Sequence, residues 1–134
     1  MGKLIADAVL DAPLQYLEDN VDWISVCEGA PTTYEHAHSN LGTGAGKVLA
    51  HSVTPTFTGP ADNPDSPYGR ETTIDEEAAM TVDISSAGGG ADHVALCKTG
   101  TSVLLYVTTC TAQALVAGNT VTAPAWKITL GDPS

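Results

Sequence analysis

The stretch from Asp92 to Leu130 constrains the fold more than any other part of the chain. Its residues are mostly β-branched or aliphatic, and short breaks that contain Gly or Asn interrupt it. This pattern is typical of consecutive antiparallel strands. Gly100 and Gly118-Asn119 mark the turns, and Gly100 is expected to supply a positive φ at no steric cost. The strands predicted here are 93–97, 102–110 and 120–130.

The strand predicted at 102–110 has apolar side chains on both faces. Side chains alternate along a strand, so Val103, Leu105 and Val107 are predicted to share one face. The other face then holds Leu104, Tyr106 and Thr108. Because both faces are largely apolar, we expect this strand to be central and covered on both sides. The residues expected in the core are Val103, Leu105, Val107 and Ile128.

Residues 4–20 carry the helical pattern of the chain. Ile5, Val9, Pro13 and Leu17 fall four residues apart, as on one face of a helix. Inside a helix, Pro13 would remove a hydrogen bond and clash with the preceding turn. The chain can kink there, or Asp11 can cap a second helix with Pro13 in its first turn, and we expect the second arrangement.

The remaining segments alternate between short strands and turn-rich loops. The strands predicted there are 23–27, 47–53, 56–58, 70–74 and 80–84. Residues 32–46 are predicted to form a long polar surface loop, and residues 59–69 a loop rich in turns.

These elements predict one domain over 1–134. It has an N-terminal helical segment (1–21) and a β domain (22–134) that carries the polar loop. The expected fold class is mainly β: an antiparallel β-sandwich or partly closed barrel with the N-terminal helix packed on it.

The charge balance is strongly acidic, with a formal net charge of −11. Phosphate binding needs clustered Lys and Arg, so we expect no direct binding to nucleic acid or to an anionic membrane. The acidity favours a basic protein partner instead. The start of the chain does not have the pattern of a signal peptide, and no apolar run reaches membrane-spanning length. The scattered basic residues are Lys3, Lys47, Arg70, Lys98 and Lys127.

Cys27, Cys97 and Cys110 make an odd count without a CxxC pair. This predicts neither a disulfide framework nor a zinc ribbon. All three lie in apolar, strand-like contexts, where free Cys behaves as a small hydrophobe. We therefore expect buried, reduced thiols in a protein made in a cytoplasm.

Two loops hold residue types that can bind metals. His36 and His38, with His51, could form a trio, but their spacing matches no common zinc site. The Asp62-Asn63-Pro64-Asp65-Ser66 loop lacks the ligand spacing of an EF-hand, and turn chemistry explains its residues. The glycines at 42–46 before Lys47 lack the spacing of a phosphate-binding loop, and no Ser lies in a nucleophile motif. We expect no cofactor, no metal and no enzymatic activity.

Several segments together resemble small proteins encoded among the virion structural genes of tailed bacteriophages and prophages. They are ADAVLDAPLQYL near the start, CEGAPTTY at 27–34, FTGPADNPDSPYGR at 57–70 and LLYVTTCTAQALVAGNTVTAPAWKITLGDP at 104–133. The resemblance covers nearly the whole chain, and its last segment is the most specific. It implies a place in the virion of a protein made in the bacterial host cytoplasm.

Within that setting, the resemblance and the long polar loop favour a capsid decoration or cement protein. The expected partners are the major capsid protein or other virion subunits, and we expect a homo-oligomer such as a trimeric ring. A neck, tail or fibre component is the alternative, followed by a carbohydrate-binding β-module or a small hydrolase. Deletion of residues 36–45 is expected to leave the fold intact. The residues expected to contact the partner are Thr33, Tyr34, His36, His38 and Asn40.

Overall fold

The computed structural model describes residues 6–39, 47–64, 69–87 and 90–130. In chain order the elements are α1 (Asp7–Asn20), β1 (Trp23–Glu28), α2 (Tyr34–His38), β2 (Lys47–Val53), β3 (Phe57–Asp62), β4 (Arg70–Ile74), β5 (Glu77–Thr81), β6 (Ala91–Lys98), β7 (Val103–Gln113), β8 (Thr120–Ala123) and β9 (Trp126–Leu130). The fold is mainly β with antiparallel sheets and an N-terminal helix, and it is not a closed barrel. This confirms the predicted sandwich-like class. Neither described helix has the length and hydropathy needed to cross a membrane.

The chain divides into two compact units, each assembled from separated segments. Unit 1 comprises Met1–Asn20, Thr56–Glu76 and Pro124–Ser134. Unit 2 comprises Val21–Pro55 and Glu77–Ala123. Each sheet lies within one unit: β3-β4-β9 in unit 1, and β2-β1-β6-β7 and β5-β8 in unit 2.

Strands β1 and β6 form the centre of the larger sheet of unit 2. Both faces of β1 are buried, and Ile24 of β1 pairs with Leu96 of β6. Apolar side chains from this sheet, from β5-β8 and from the segments beside them form one buried cluster, so the sheets pack in a sandwich-like way. That cluster contains Val26, Leu49, Ala50, Met80, Val82, Ala91, Leu115 and Ala123.

A second cluster lies on the opposite face of the same sheet, beneath α2. Strand side chains alternate between faces, so Trp23 and Cys27 point away from the first cluster and meet Ala37 of α2. The sequence pattern predicted a loop over 32–46, but residues 34–38 form this short packed helix. The buried members of the cluster are Trp23, Cys27, Ala37, Val48, Ala95 and Cys97.

Strand β7 is an edge strand, so the prediction that it is central and covered on both sides was wrong. Within the described residues it pairs with β6 alone. Val103 is 41% exposed, and Leu105 and Val107 are only half-buried. The expected alternation also fails, because a β-bulge shifts the register opposite Leu96 and Cys97. Of the four predicted core residues, Ile128 of β9 is confirmed as buried.

The turn between β6 and β7 is built by Asp22 instead of by Gly100. The Asp22 carboxylate accepts hydrogen bonds from the amide and the hydroxyl of Thr99, both at 2.8 Å. These bonds hold a single 3-10 turn at Thr99–Thr101, after which Ser102 takes the left-handed conformation with φ 55°. The positive φ therefore lies two residues later than predicted.

The single strand predicted at 120–130 is two strands that belong to different units. β8 pairs with β5, and β9 pairs with β4. Pro124 follows the end of β8, and proline has no amide hydrogen to donate to a strand ladder. The sequence reading extended one apolar pattern across this break.

The bounds of β3 and β5 also differ from those of the predicted strands. β3 continues through Gly59 and the cis Gly59–Pro60 bond to Asp62, where a loop was expected. Gly59 has φ +128°, and a Cβ there would lie 3.0 Å from the Glu71 carbonyl oxygen, so this close approach requires glycine. β5 begins at Glu77, three residues before the predicted strand.

Helix α1 of unit 1 runs without interruption through Pro13, so the prediction of a second helix capped by Asp11 was wrong. Pro13 is exposed, while Leu10 and Leu14 are buried. α1 packs on β3 and β4, as expected for a helix that covers a sheet. Burial of this apolar side of the helix outweighs the hydrogen bond that Pro13 cannot make.

Candidate functional site

The candidate site is the surface helix α2, which contains most of the residues predicted to contact a partner. Thr33 caps its start, and its hydroxyl accepts a hydrogen bond from the His36 amide at 3.2 Å. Thr32 donates to His36 Nδ1 from its amide (3.3 Å) and its hydroxyl (3.2 Å). At the other end, the Ser39 amide donates to the Glu35 carbonyl at 2.8 Å. These local bonds define a five-residue helix.

A stack of aromatic rings connects α2 to the sheet beneath it. The Trp23 ring of β1 lies 4.2 Å from the His51 ring of β2, with an angle of 8° between the planes. The His38 ring of α2 lies 4.2 Å from the same Trp23 ring and 4.7 Å from the Tyr34 ring. Such ring pairs add to the free energy gained by burial alone. We call Tyr34, His38, Trp23 and His51 the ring stack.

Hydrogen bonds fix the orientation of the ring stack. Trp23 Nε1 donates to the Ala37 carbonyl at 3.0 Å, in a buried position. His51 Nδ1 donates to Asp83 Oδ2 at 2.8 Å, and His38 Nδ1 lies 3.0 Å from Ser39 Oγ. A buried carbonyl without a donor costs free energy, so the Trp23–Ala37 bond ties the short helix to β1.

The two thiols below α2 are held in their neutral form. Burial raises the pKa of Cys27 to about 11 and that of Cys97 to about 12. Burial also raises the pKa of Tyr34, with a further contribution from Cys97. A thiol must ionise to act as a nucleophile or a metal ligand, so Cys27 and Cys97 act as packing residues at neutral pH.

The surface that α2 presents is polar. Thr32, Thr33, Glu35 and Ser39 are exposed, while Tyr34, His36 and His38 are half-buried. The ring stack supports this surface from below, which makes it a preformed patch of hydroxyl, carboxylate and imidazole groups. Such groups can donate and accept hydrogen bonds in a protein contact.

Four of the five predicted contact residues, Thr33, Tyr34, His36 and His38, therefore lie on or at the start of one helix. The fifth, Asn40, is outside the described residues. Their roles differ, because Thr33 caps the helix, His36 contacts Thr32, and Tyr34 and His38 join the ring stack.

The three histidines considered as a metal trio are not gathered into one site. His51 stacks on Trp23 and the tilted His38 ring packs against Trp23, whereas His36 faces Thr32. In the part of the chain that the structure describes, no group of three or more His, Cys, Asp or Glu residues could hold a metal ion.

The loop considered for calcium is also engaged in other contacts, as far as it is described. Asp62 pairs with Arg70 Nη1 at 2.6 Å, and Asn63 is buried. Asp65 and Ser66 lie outside the described residues.

The sequence reading missed Trp23 and Asp83 as members of the site. Both residues lie within predicted strands, Trp23 in 23–27 and Asp83 in 80–84, where nothing distinguished them as site residues. Trp23 could have been found by pairing the predicted strands 23–27 and 47–53, because antiparallel pairing of these strands puts Trp23 and His51 on one face of the sheet.

Comparisons with protein-family models, with curated proteins and with solved structures found no match to this chain.

Proposed function

We propose that this chain is a non-enzymatic structural protein of a tailed-bacteriophage virion, which decorates or cements the capsid by binding the major capsid protein. The resemblance of the segments at 57–70 and 104–133 supports the virion setting. The observation that carries the binding role is the supported surface helix α2.

A preformed surface lowers the entropy cost of association, because few side chains and little backbone must become ordered on binding. The ring stack and the Trp23–Ala37 hydrogen bond preform α2 in this way. The exposed Glu35 carboxylate, on a chain of net charge −11, favours a basic patch on the partner.

The deletion of residues 36–45 is not the variant that tests this role. It would remove Ala37, which is fully buried and accepts the Trp23 hydrogen bond. Loss of Ala37 is expected to disturb the packing beneath α2, so surface substitutions are needed instead.

The test is co-sedimentation of the purified protein with capsids that lack it. We expect Glu35→Lys to weaken attachment and Glu35→Gln to weaken it less, because reversal of the charge opposes a basic patch. Glu76→Lys is the matched control, since it makes the same charge change at an exposed residue of unit 1. Equal attachment of Glu35→Lys and the wild type would rule out α2 as the contact.

An electron-microscopy map of complete particles tests the location separately. The proposal expects density for this chain on the outer capsid shell. Density confined to the neck, the tail or a fibre would rule out the capsid assignment in favour of that alternative.

A further inference from the structure

The two edges of the larger sheet of unit 2 differ in how they are covered. Beside β2, Val82 forms a bridge with Ala50, and the amides of Asp83 and Ile84 donate to the Leu49 carbonyl at 2.7 and 3.3 Å. The segment after β5 therefore occupies the outer edge of β2. On the other side of the sheet, β7 pairs with β6 alone among the described residues.

Other outer strands carry features that discourage pairing with a further strand. β3 contains Pro60, which has no amide hydrogen, and β9 carries Lys127. β8 has four residues and β5 has five, with a register shift in β5. Proline, lysine, bulges and short length are the usual means by which natural proteins protect strand edges.

Strand β7 differs from these in length and composition. It has 11 residues, VLLYVTTCTAQ, with no proline and no charged side chain. Its second half, from Thr109 to Gln113, is exposed. A long uncharged edge strand offers a row of backbone donors and acceptors that only another extended chain can satisfy in series.

We propose that β7 pairs with β7 of a second copy of this chain, antiparallel about a twofold axis, so that one sheet runs through both copies. A second copy supplies a strand of the same length, and neither strand has a charged side chain that would repel the other. Where the axis passes through Thr108, the two copies of this threonine lie opposite each other and form a favourable cross-strand pair. A twofold arrangement uses the same patch on both copies and closes after two, so it does not lead to open polymers.

Two bulges define where the pairing is centred. Shifts in register occur opposite Leu96/Cys97 and opposite Ala91/His93, which leaves Tyr106–Thr109 paired residue for residue with β6. In antiparallel pairing, two residues that lie opposite each other point to the same face of the sheet. Two neighbouring residues of β7 point to opposite faces, so they cannot be opposed across a twofold axis. The axis must therefore pass between a residue and the same residue of the second copy. Val107 and Thr108 are the two central positions.

Charge outside β7 gives this dimer a recognisable salt dependence. Each copy has a net charge of −11, and the two copies repel each other at low ionic strength. Salt screens this repulsion, while the contact itself contains no ion pair within β7 that salt would weaken. The dimer is therefore expected to tighten as salt is added.

The first test measures mass in solution by light scattering after gel filtration, from micromolar to tenth-millimolar protein and at two salt concentrations. The wild type should approach twice the chain mass, more completely at the higher salt. Thr109→Lys places a charge on the exposed edge and should weaken dimerisation by roughly tenfold or more. Ala12→Lys, which adds the same charge on an exposed position of α1, should dimerise like the wild type.

The second test fixes the register by disulfide crosslinking. In a Cys110→Ser background, Val107→Cys or Thr108→Cys should give a crosslinked dimer, because a residue on the axis faces its own copy within disulfide reach. Thr129→Cys on β9 is the control and should stay uncrosslinked. Far-UV circular dichroism checks that each variant remains folded.

A monomer at all concentrations would overturn the proposal. So would a dimer that Thr109→Lys leaves intact, or the absence of a crosslink from both central positions. This outcome is independent of capsid attachment, which is measured with Glu35 variants outside β7.

Discussion

At the scale of single residues, the stability of this protein depends most on the central strands β1 and β6. Ile24 and Leu96 face each other across these strands and are fully buried. Leu105, which the sequence placed in the core, is half-buried at the bulge of an edge strand.

We expect Leu96→Ala to reduce the free energy of unfolding by about 2–5 kcal/mol, through lost burial and the cavity left behind. Leu105→Ala should cost clearly less, because solvent already reaches this side chain and the edge can relax. Urea unfolding measures both, with the exposed Val53→Ala as a control. A loss at Leu105 equal to that at Leu96 would contradict the edge position of β7.

The three cysteines form two classes, although the sequence predicted a single buried class. Cys27 and Cys97 are buried, and Cys110 is exposed on β7. At pH 8 a thiol reagent should label Cys110 first, and Cys27 and Cys97 only after unfolding. Because all three thiols are free, the melting temperature should be the same with and without reductant. Equal labelling rates for the three thiols in the folded protein would contradict their positions.

The raised thiol pKa values also predict a loss of stability in alkali. The ordinary thiol pKa is 9.0, and burial raises it to about 11 for Cys27 and about 12 for Cys97. Above pH 9 the unfolded chain releases protons that the folded chain retains, so stability is full below pH 9 and falls as pH rises through the folded values. Urea midpoints between pH 8 and pH 11 should show this fall, and Cys27→Ala with Cys97→Ala should make it shallower.

At the scale of elements, Arg70 connects three segments of unit 1. Its guanidinium donates from Nε to Asp11 Oδ1 at 2.7 Å and from Nη1 to Asp62 Oδ1 at 2.6 Å, with Asp7 at 3.7 Å. Asp7 and Asp11 are on α1, whereas Asp62 ends β3. The N–H groups of the planar Arg70 guanidinium therefore bind carboxylates of both α1 and β3, which holds the helix beside the strands.

Arg70→Lys should therefore lower the melting temperature nearly as much as Arg70→Met, because a single ammonium cannot replace the planar guanidinium. Hydrogen exchange of α1 amides should accelerate in both variants. Lys127→Met removes the 3.2 Å pair with the buried Glu71 carboxylate, so it should also lower the melting temperature, but α1 exchange should change less because Lys127 lies on β9. Full rescue by Lys at position 70 would show that charge alone holds α1.

The ring stack makes α2 depend on contacts outside the helix. A helix of five residues is too short to be stable alone, so its order comes from tertiary packing. Trp23→Phe keeps a ring but leaves the Ala37 carbonyl without its donor, at a cost of about 1–3 kcal/mol. His38→Ala should cost about 0.5–1.5 kcal/mol through lost ring contacts, and His36→Ala, outside the stack, should cost less.

Amide exchange across residues 34–38 is the direct measurement for these variants. Trp23→Phe and His38→Ala should accelerate it, and His36→Ala should change it less. If all three variants exchanged like the wild type, the ring stack would not support α2.

The elements that could be predicted are those whose boundaries depend on the local sequence, whereas elements that depend on contacts between distant segments were missed. β2 and β4 begin and end where their β-rich sequences predicted, and β1 extends one residue further. β7 was predicted to be central because apolar residues occupy both of its faces, but the order of strands in a sheet depends on contacts between distant segments that a local pattern does not show. α2 and the ring stack were not predictable from local pattern, since Trp23, His38 and His51 come together only after β1 and β2 pair.

At the scale of the whole molecule, the net charge of −11 acts against the compact state. Added salt should raise the melting temperature as ionic strength increases from about 0.01 M to 0.15 M, where the screening length falls to about 8 Å. Glu76→Lys lowers the net negative charge by two and should give a shallower rise. A melting temperature that falls with salt would mean that ion pairs such as those of Arg70 outweigh the overall repulsion.

The segments of unit 1 alternate along the chain with those of unit 2, so unit 1 can be completed only when the last segment has been synthesised. α1, β3 and β4 leave the ribosome early, but their partner strand β9 is translated after every strand of unit 2. β9 pairs along all of β4 and buries Ile128. Translation of residues 77–123 takes roughly 2–10 s at typical rates of synthesis. During that interval Leu10, Leu14 and Ile74 lack the strand that completes their unit, so the nascent chain presents apolar surface that a chaperone can bind.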